Sequence, residues 1–176
     1  MYLDEEQEVE NLASSVLRRY FTDNDVDYLV SLFTPDIVWL GAGKEQKAEG
    51  FDAVSRHFRN EKNVLMHCRM WDESYVTRKL ADDCYLCEVT SELESVDPGV
   101  LFRIRQRVSF IFKRIDGALK IAHIHHSAAY DPIQPDELFP IEAARRSYEE
   151  LTRLLTEKEQ QIVLMLHQIP GGTMIC

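Results

Sequence analysis

The dipeptide Asp116-Gly117, set between two long runs of alternating apolar and polar residues, is the strongest constraint on how this chain folds. A two-residue turn of this composition accepts the positive φ angles that join right-twisted antiparallel strands. Upstream, Phe102, Ile104, Val108, Phe110 and Phe112 share one parity, and Arg103, Arg105, Arg107, Ser109 and Lys113 share the other. Strand side chains alternate between faces, so the first set is expected to face a core and the arginine set to face outward. Downstream, Ala122, Ile124 and His126 form the set expected inward, and Ile121, His123, His125 and Ser127 the set expected outward. Further turns at Ala81-Asp82-Asp83 and Asp97-Pro98-Gly99 divide the preceding residues. Val64–Arg78, Cys84–Glu94, Val100–Ile115 and Ala118–Ser127 therefore read as a four-strand antiparallel meander.

Helical spacing dominates before the meander. Val9, Leu12, Ala13, Val16, Leu17 and Tyr20 recur at helical offsets within Glu5–Phe21, behind an acidic first turn. Thr22-Asp23-Asn24-Asp25 stops that helix and caps a second, Val26–Phe33, which Pro35 ends. Ile37–Leu40 reads as a short strand, and Gly50 precedes a third helix with Phe51, Val54 and Phe58 on one side. Helices first and strands after predict an α+β domain over residues 1–130, with the helices on one face of the sheet.

Residues 131–139, containing Asp131-Pro132-Ile133-Gln134-Pro135, read as a linker, and Pro140 opens a helix expected over 140–169. Ile141, Tyr148, Leu155, Ile162 and Ile169 fall seven apart, with Ala144, Leu151, Lys158 and Met165 three after each of the first four. That spacing predicts a parallel coiled coil joining two copies, seamed by Ile141, Tyr148, Leu151, Leu155, Ile162 and Met165. Tyr148 and Lys158 weaken the seam, so the competing expectation is an amphipathic helix packed on its own domain.

The formal net charge of −10 and pI near 5.0 argue against binding a phosphate backbone. No apolar run reaches the roughly 20 residues of a membrane span, and the start is acidic, so a cytoplasmic location is expected. Cys84 and Cys87 form a C-x-x-C, but residues three apart on a strand point to opposite faces, so a shared metal or disulfide is not expected. His123 and His125 share a face and could share a metal only with a third ligand, such as His67 or Glu88. The blander reading is a polar sheet surface, and no metal or cofactor is assigned. Glu88, Glu92 and Glu94 are expected outward, paired across strands with Arg103, Arg105 and Arg107. His126 is the one histidine expected on the apolar face, and His57 could face solvent.

Two stretches carry a family likeness: Glu49-Gly50-Phe51-Asp52 through Phe58 and Asn60, and Asp116-Gly117 followed by His123-Ile124-His125-His126-Ser127. Over about residues 5–130 the chain resembles nuclear transport factor 2-like (SnoaL-like) domains, and within them the association (hub) domain of calcium/calmodulin-dependent protein kinase II. The resemblance implies a cone-shaped, curved antiparallel sheet wrapped by three N-terminal helices around a pocket. It places Trp39, Val54, Val89, Phe110 and His126 at that pocket, with His126 as a hydrogen-bonding group. Trp39, Trp71 and Tyr75 are each open to a plain core role as well as a pocket one. The basic pocket groups of the hub family fall here on Val54, Val89, Phe110 and His126, so carboxylate binding does not carry over. The tyrosine–acid set of ketosteroid isomerase is likewise not placed. Ile169-Pro170-Gly171-Gly172 resembles the opening of PAS domains in bacterial sensor proteins, implying that 170–176 begin a following domain. The combined expectation is a non-catalytic sensory and dimerisation domain of a signalling protein, binding a small, mostly apolar ligand. The alternatives are a small-molecule isomerase, dehydratase or hydrolase of the same fold, or a pure oligomerisation hub.

Overall fold

The computed structural model describes residues 4–62, 67–98, 102–129, 133, 137 and 139–167. The chain divides into two units, residues 1–129 and 130–176. The proposed domain start at Ile169–Gly172 lies outside the described residues.

In the first unit, α1 (Glu5–Asp23) and α2 (Val26–Ser31) lead into β1 (Phe33–Leu40), β2 (Lys47–Glu49) and α3 (Phe51–Glu61). The strands β3 (Cys68–Ala81), β4 (Cys84–Ser95), β5 (Arg103–Ile115) and β6 (Ala118–Ala128) follow. The expected turn chemistry holds the elements apart. Asn24, left-handed at φ 54°, closes α1, and the Asp25 side chain caps α2 by accepting from the Tyr28 amide at 3.1 Å. Asp116 and Gly117 take φ of 50° and 81°, the positive pair a two-residue hairpin requires.

The sheet has six strands in the order β2-β1-β6-β5-β4-β3. The meander β3–β6 is antiparallel as expected, but two further strands extend it past β6. β1 runs parallel to β6, and β2 pairs antiparallel with β1. The second helix is shorter than the spacing implies, because Phe33 already belongs to β1. Pro35 therefore sits inside a strand rather than between elements. It is tolerated because the β1–β6 register breaks between Phe33 and Val38, where no ladder bond is demanded of the missing N–H.

The same place in β6 overturns one expected facing. Phe112 pairs with Ile121 and Ile111 with His123, leaving Ala122 unopposed as a β-bulge. The extra residue shifts the parity by one, so Ile121 is fully buried rather than outward, while Ile124 stays inward. One apolar core results. Val9, Ala13, Val16, Leu17 and Tyr20 of α1 pack with Val54 and Phe58 of α3 and with the inner sheet residues Tyr85, Val89, Val108, Phe110, Phe112 and Ile121.

On the outer face the expected charge ladder forms at Glu92, while Glu88 and Glu94 turn to β3 instead. Glu92 takes both Arg105 (3.2 Å) and Arg103 (3.6 Å), Glu88 takes Arg78 of β3 (3.2 Å), and Glu94 takes Arg69 of β3. Arg107 stands opposite Thr90 and Ser127, so the register gives it no glutamate across the strand. Among the described residues, Cys84 and Cys87 are free thiols. Burial pushes the Cys87 thiol up to about 11, as suits a packing residue rather than a reactive one. In the second unit, α4 (Ile141–His167) carries its charges in ladders, Arg145 with Glu142 and Glu149, and Arg153 with Glu150 and Glu157.

Truncating Ile121 tests the bulge. Ile121→Ala is expected to cost about 2–5 kcal/mol in urea unfolding, the range for a fully buried aliphatic. Leu80→Ala, at an exposed position, should change stability by less than about 1 kcal/mol. Equal small effects would place Ile121 on the outer face.

Candidate functional site

A cavity of about 350 Å³ opens between the helices and the inner face of the sheet. Its wall is largely apolar. Val16, Leu17, Tyr20 and Phe21 come from α1, Leu29 from α2, Trp39 from β1 and Phe58 from α3. Ile104, Val108 and Phe110 of β5 and Ile124 of β6 complete it. The rings interlock edge to face: Tyr20 with Phe58 and Trp39 with Phe58 both at 5.6 Å, and Tyr20 with Phe21 at 4.9 Å. Exposed Ala42, Gln46 and Ala128 lie at its solvent edge.

Few polar groups reach this wall. His126, on the inward parity of β6, lines it, and its Nε2 is buried with no hydrogen-bond partner. A buried imidazole nitrogen left unpaired is costly unless something else supplies the bond. Burial, then the charge of neighbouring His125, holds the His126 imidazole below its ordinary value, so it is neutral at pH 7. Glu61, at the end of α3, is the one charged side chain among the described wall residues. Burial, then the Glu61 carboxylate, pushes the Tyr20 hydroxyl upward, which sets Tyr20 and Glu61 in one electrostatic neighbourhood.

Trp39 is held from several sides. His57 stacks on it with ring centroids 3.9 Å apart, and His57 Nε2 lies 3.2 Å from Glu61 Oε1, close enough for an ion pair but out of line for a hydrogen bond. His57 is thus a half-buried aromatic contact and not a solvent-facing residue. Gly41 leaves the space Trp39 and Gln46 occupy: a Cβ there would come within 2.7 Å of the indole ring and closer still to Gln46 Oε1.

Of the five residues expected at the pocket, Trp39, Phe110 and His126 lie together on the wall. Val54 and Val89 are fully buried in the core and do not line the cavity, because α3 and β4 turn those side chains into the helix–sheet packing. Tyr75 packs partly buried against the core and donates to Glu73 at 2.6 Å. Trp71 lies apart from the cavity, under the Arg69 and Arg103 guanidinium groups at 4.9 and 5.2 Å. His123 and His125 stand on the other face of β6 from His126, and His67 is 3.8 Å from Asp97 instead of beside them. Among the described residues no three potential metal ligands cluster.

Gln106 had no role in the reading of parity, although it sits between Ile104 and Val108. It is fully buried, its Nε2 donates to Ser91 Oγ at 2.7 Å across β4–β5, and its Oε1 has no partner. Tyr20 and Phe58 were legible only as helix residues and Glu61 not at all, since nothing in one sequence says that α1 and α3 converge. The six expected seam residues Ile141, Tyr148, Leu151, Leu155, Ile162 and Met165 are all exposed on α4. No helix among the described residues is long and apolar enough to cross a membrane.

Comparison with known proteins places this geometry. The SnoaL-like domain family matches residues 9–131. No curated protein matches the sequence. Among solved structures, a Xanthomonas campestris protein assigned as a calcium/calmodulin-dependent protein kinase II association domain is 18% identical. It superposes with a TM-score of 0.60 over 76% of this chain and 91% of that one. A Caulobacter vibrioides protein with a cystatin-like fold gives 0.61 at 17% identity, over 76% and 93%. A ketosteroid isomerase-like protein of Erwinia carotovora gives 0.55 at 18% identity, over 73% and 99%. At these identities the likeness is one of fold.

The buried imidazoles predict a pH dependence. Burial lowers both His126 and His123 in the folded chain, so the unfolded chain binds more protons below the ordinary imidazole value of about 6.5. Their contribution is complete above that value and is lost as pH falls from it through the lower values of the folded chain. Unfolding free energy should drop from pH 7.5 to 5.5, and His126→Gln should remove part of that drop. A variant with the full wild-type drop would show that His126 is not buried as described.

Proposed function

Because this chain belongs to the SnoaL-like domain family, we propose that residues 5–129 bind a small, largely apolar molecule in the cone. The carrying observation is the pairing of an aromatic and aliphatic wall with a wall histidine whose buried Nε2 has no partner, His126. Small-molecule sites have this composition: a mostly apolar lining and a few polar groups that fix orientation. A ligand oxygen or N–H at His126 would satisfy the nitrogen, and Trp39 and Phe110 would enclose the apolar body.

The binding domain acts without catalysis in this reading, as a sensory and dimerisation module. The apolar stripe of α4, exposed along its described length, is the surface that joins two copies and carries the signal onward. A ligand shifts such a pair only by binding its alternative packings unequally. The enzymatic alternative would use His126 or Glu61 as the acid–base group on the same ligand. It is distinguished by turnover and not by affinity.

Trp39 supplies a direct assay. On a Trp71→Phe background it is the only tryptophan, so ligand entry should shift its emission. Val108→Phe, which fills the wall opposite without adding a second tryptophan, should abolish the shift while leaving the fold intact by circular dichroism. Uptake without chemical change supports the sensor, conversion of the bound molecule supports the enzyme, and no uptake of any apolar probe leaves only a hub. Removal of residues 140–176 is expected to turn a two-chain particle into a one-chain particle in solution. A truncated protein that still has the mass of two truncated chains would show that α4 does not hold the dimer.

A further inference from the structure

We infer that the cavity selects ligands bearing a protonated amine; this rests on the binding reading above and narrows its chemical class. The wall carries aromatic rings from α1, β1 and α3, and Glu61 is its one described charge. A carboxylate beside aromatic rings attracts cations twice, through its own charge and through the rings' negative faces. The same carboxylate repels an acid, and no described lysine or arginine lines the wall to offset it. His126, held neutral, supplies a hydrogen bond without adding positive charge. The net charge of −10 acts in the same direction on approach. The ligand class is therefore an apolar body with a cationic end at Glu61 and a hydrogen-bonding group at His126.

The probes are 4-phenylbutylamine, 4-phenylbutanol and 4-phenylbutyrate, titrated against Trp39 emission in the Trp71→Phe protein at pH 8, where imidazole is neutral. The amine should bind roughly tenfold tighter than the alcohol, and the acid weakest. Glu61→Gln should bring the amine down to the alcohol and leave the alcohol unchanged. An acid or alcohol binding as tightly as the amine overturns the inference and leaves the binding reading intact. Equal weakening of all three by Glu61→Gln assigns Glu61 a structural role and also overturns it. Failure of all three probes to bind removes the binding reading itself.

Independently, the heptad pattern of α4 points to an antiparallel pairing with a second copy, in place of the parallel coil that the spacing alone suggests. In a parallel, in-register pair, Lys158 would face its own copy inside the seam, and Leu154 would meet the partner's Glu159. Turned antiparallel about a two-fold axis near residue 153, the stripe overlaps along its whole length. Ile141 meets the partner's Met165, Ala144 the partner's Ile162, Tyr148 the partner's Lys158 and Leu151 the partner's Leu155. Beside the seam, Arg145 lies against the partner's Glu159, and Leu154 against its own copy at the axis. The contact is isologous, so each match occurs twice and closes the assembly at two chains. All these α4 positions are exposed and available.

Two cysteine variants, each made on a Cys84→Ser, Cys176→Ser background that leaves only buried native cysteines, separate the orientations. Leu154→Cys should cross-link to a dimer under mild oxidation of the full chain, whereas Lys158→Cys should not. The reverse result establishes a parallel coil and overturns the assignment. Cross-linking of neither removes the helix pair altogether.

Discussion

Ala122 has no residue opposite it on β5, and the arrangement of the inner sheet face follows from that mismatch. Before the bulge, Ile121 lies against Phe112 in the core; after it, Ile124 and His126 face inward beside Phe110 and Val108. Without an extra residue, Ile121 and Ile124 could not both point inward, because strand side chains alternate. The neighbouring strand accommodates the same irregularity, since β1 breaks register between Phe33 and Val38. Bulges bend strands and raise their twist, so a break spanning two neighbouring ladders is how this sheet curves enough to enclose space.

The cavity that results is apolar on most sides and polar at chosen points. Trp39 is fixed between the His57 ring and Phe58, with Gly41 leaving it room, so this part of the wall is rigid before any ligand arrives. His126 contributes the opposite quality, a buried Nε2 to which no protein group offers a hydrogen bond.

Much of this was legible from residue order. Asp116-Gly117, the alternation from Phe102 to Phe112, and the helical spacing of Val9 to Tyr20 each state a local rule that the fold obeys. What escaped was non-local. The three residues of β2 are too few to show a period, and Pro35 hid the start of β1, of which only Ile37–Leu40 was legible, because a proline normally ends or edges a strand. The bulge defeated strict parity at Ile121. At the site, Trp39, Phe110 and His126 were readable because each sits on a strand face or carries the family likeness. Glu61 and Tyr20 were not, because their meeting depends on how α1 and α3 lie across the sheet. Gln106 was passed over because a glutamine between two inward residues looks like an exception, until Ser91 on the next strand gives it a partner.

The parallel pairing of β1 with β6 joins segments more than eighty residues apart, as Phe33 beside Ile121 illustrates, whereas β3 through β6 pair with immediate neighbours in the chain. Closing a long loop costs more conformational entropy than closing a hairpin, so local pairs form more readily than distant ones. The meander can therefore assemble while Trp39 and the first two helices are still unattached. The cavity is then the last part of the domain to come into being, and the first to be lost when the edge loosens.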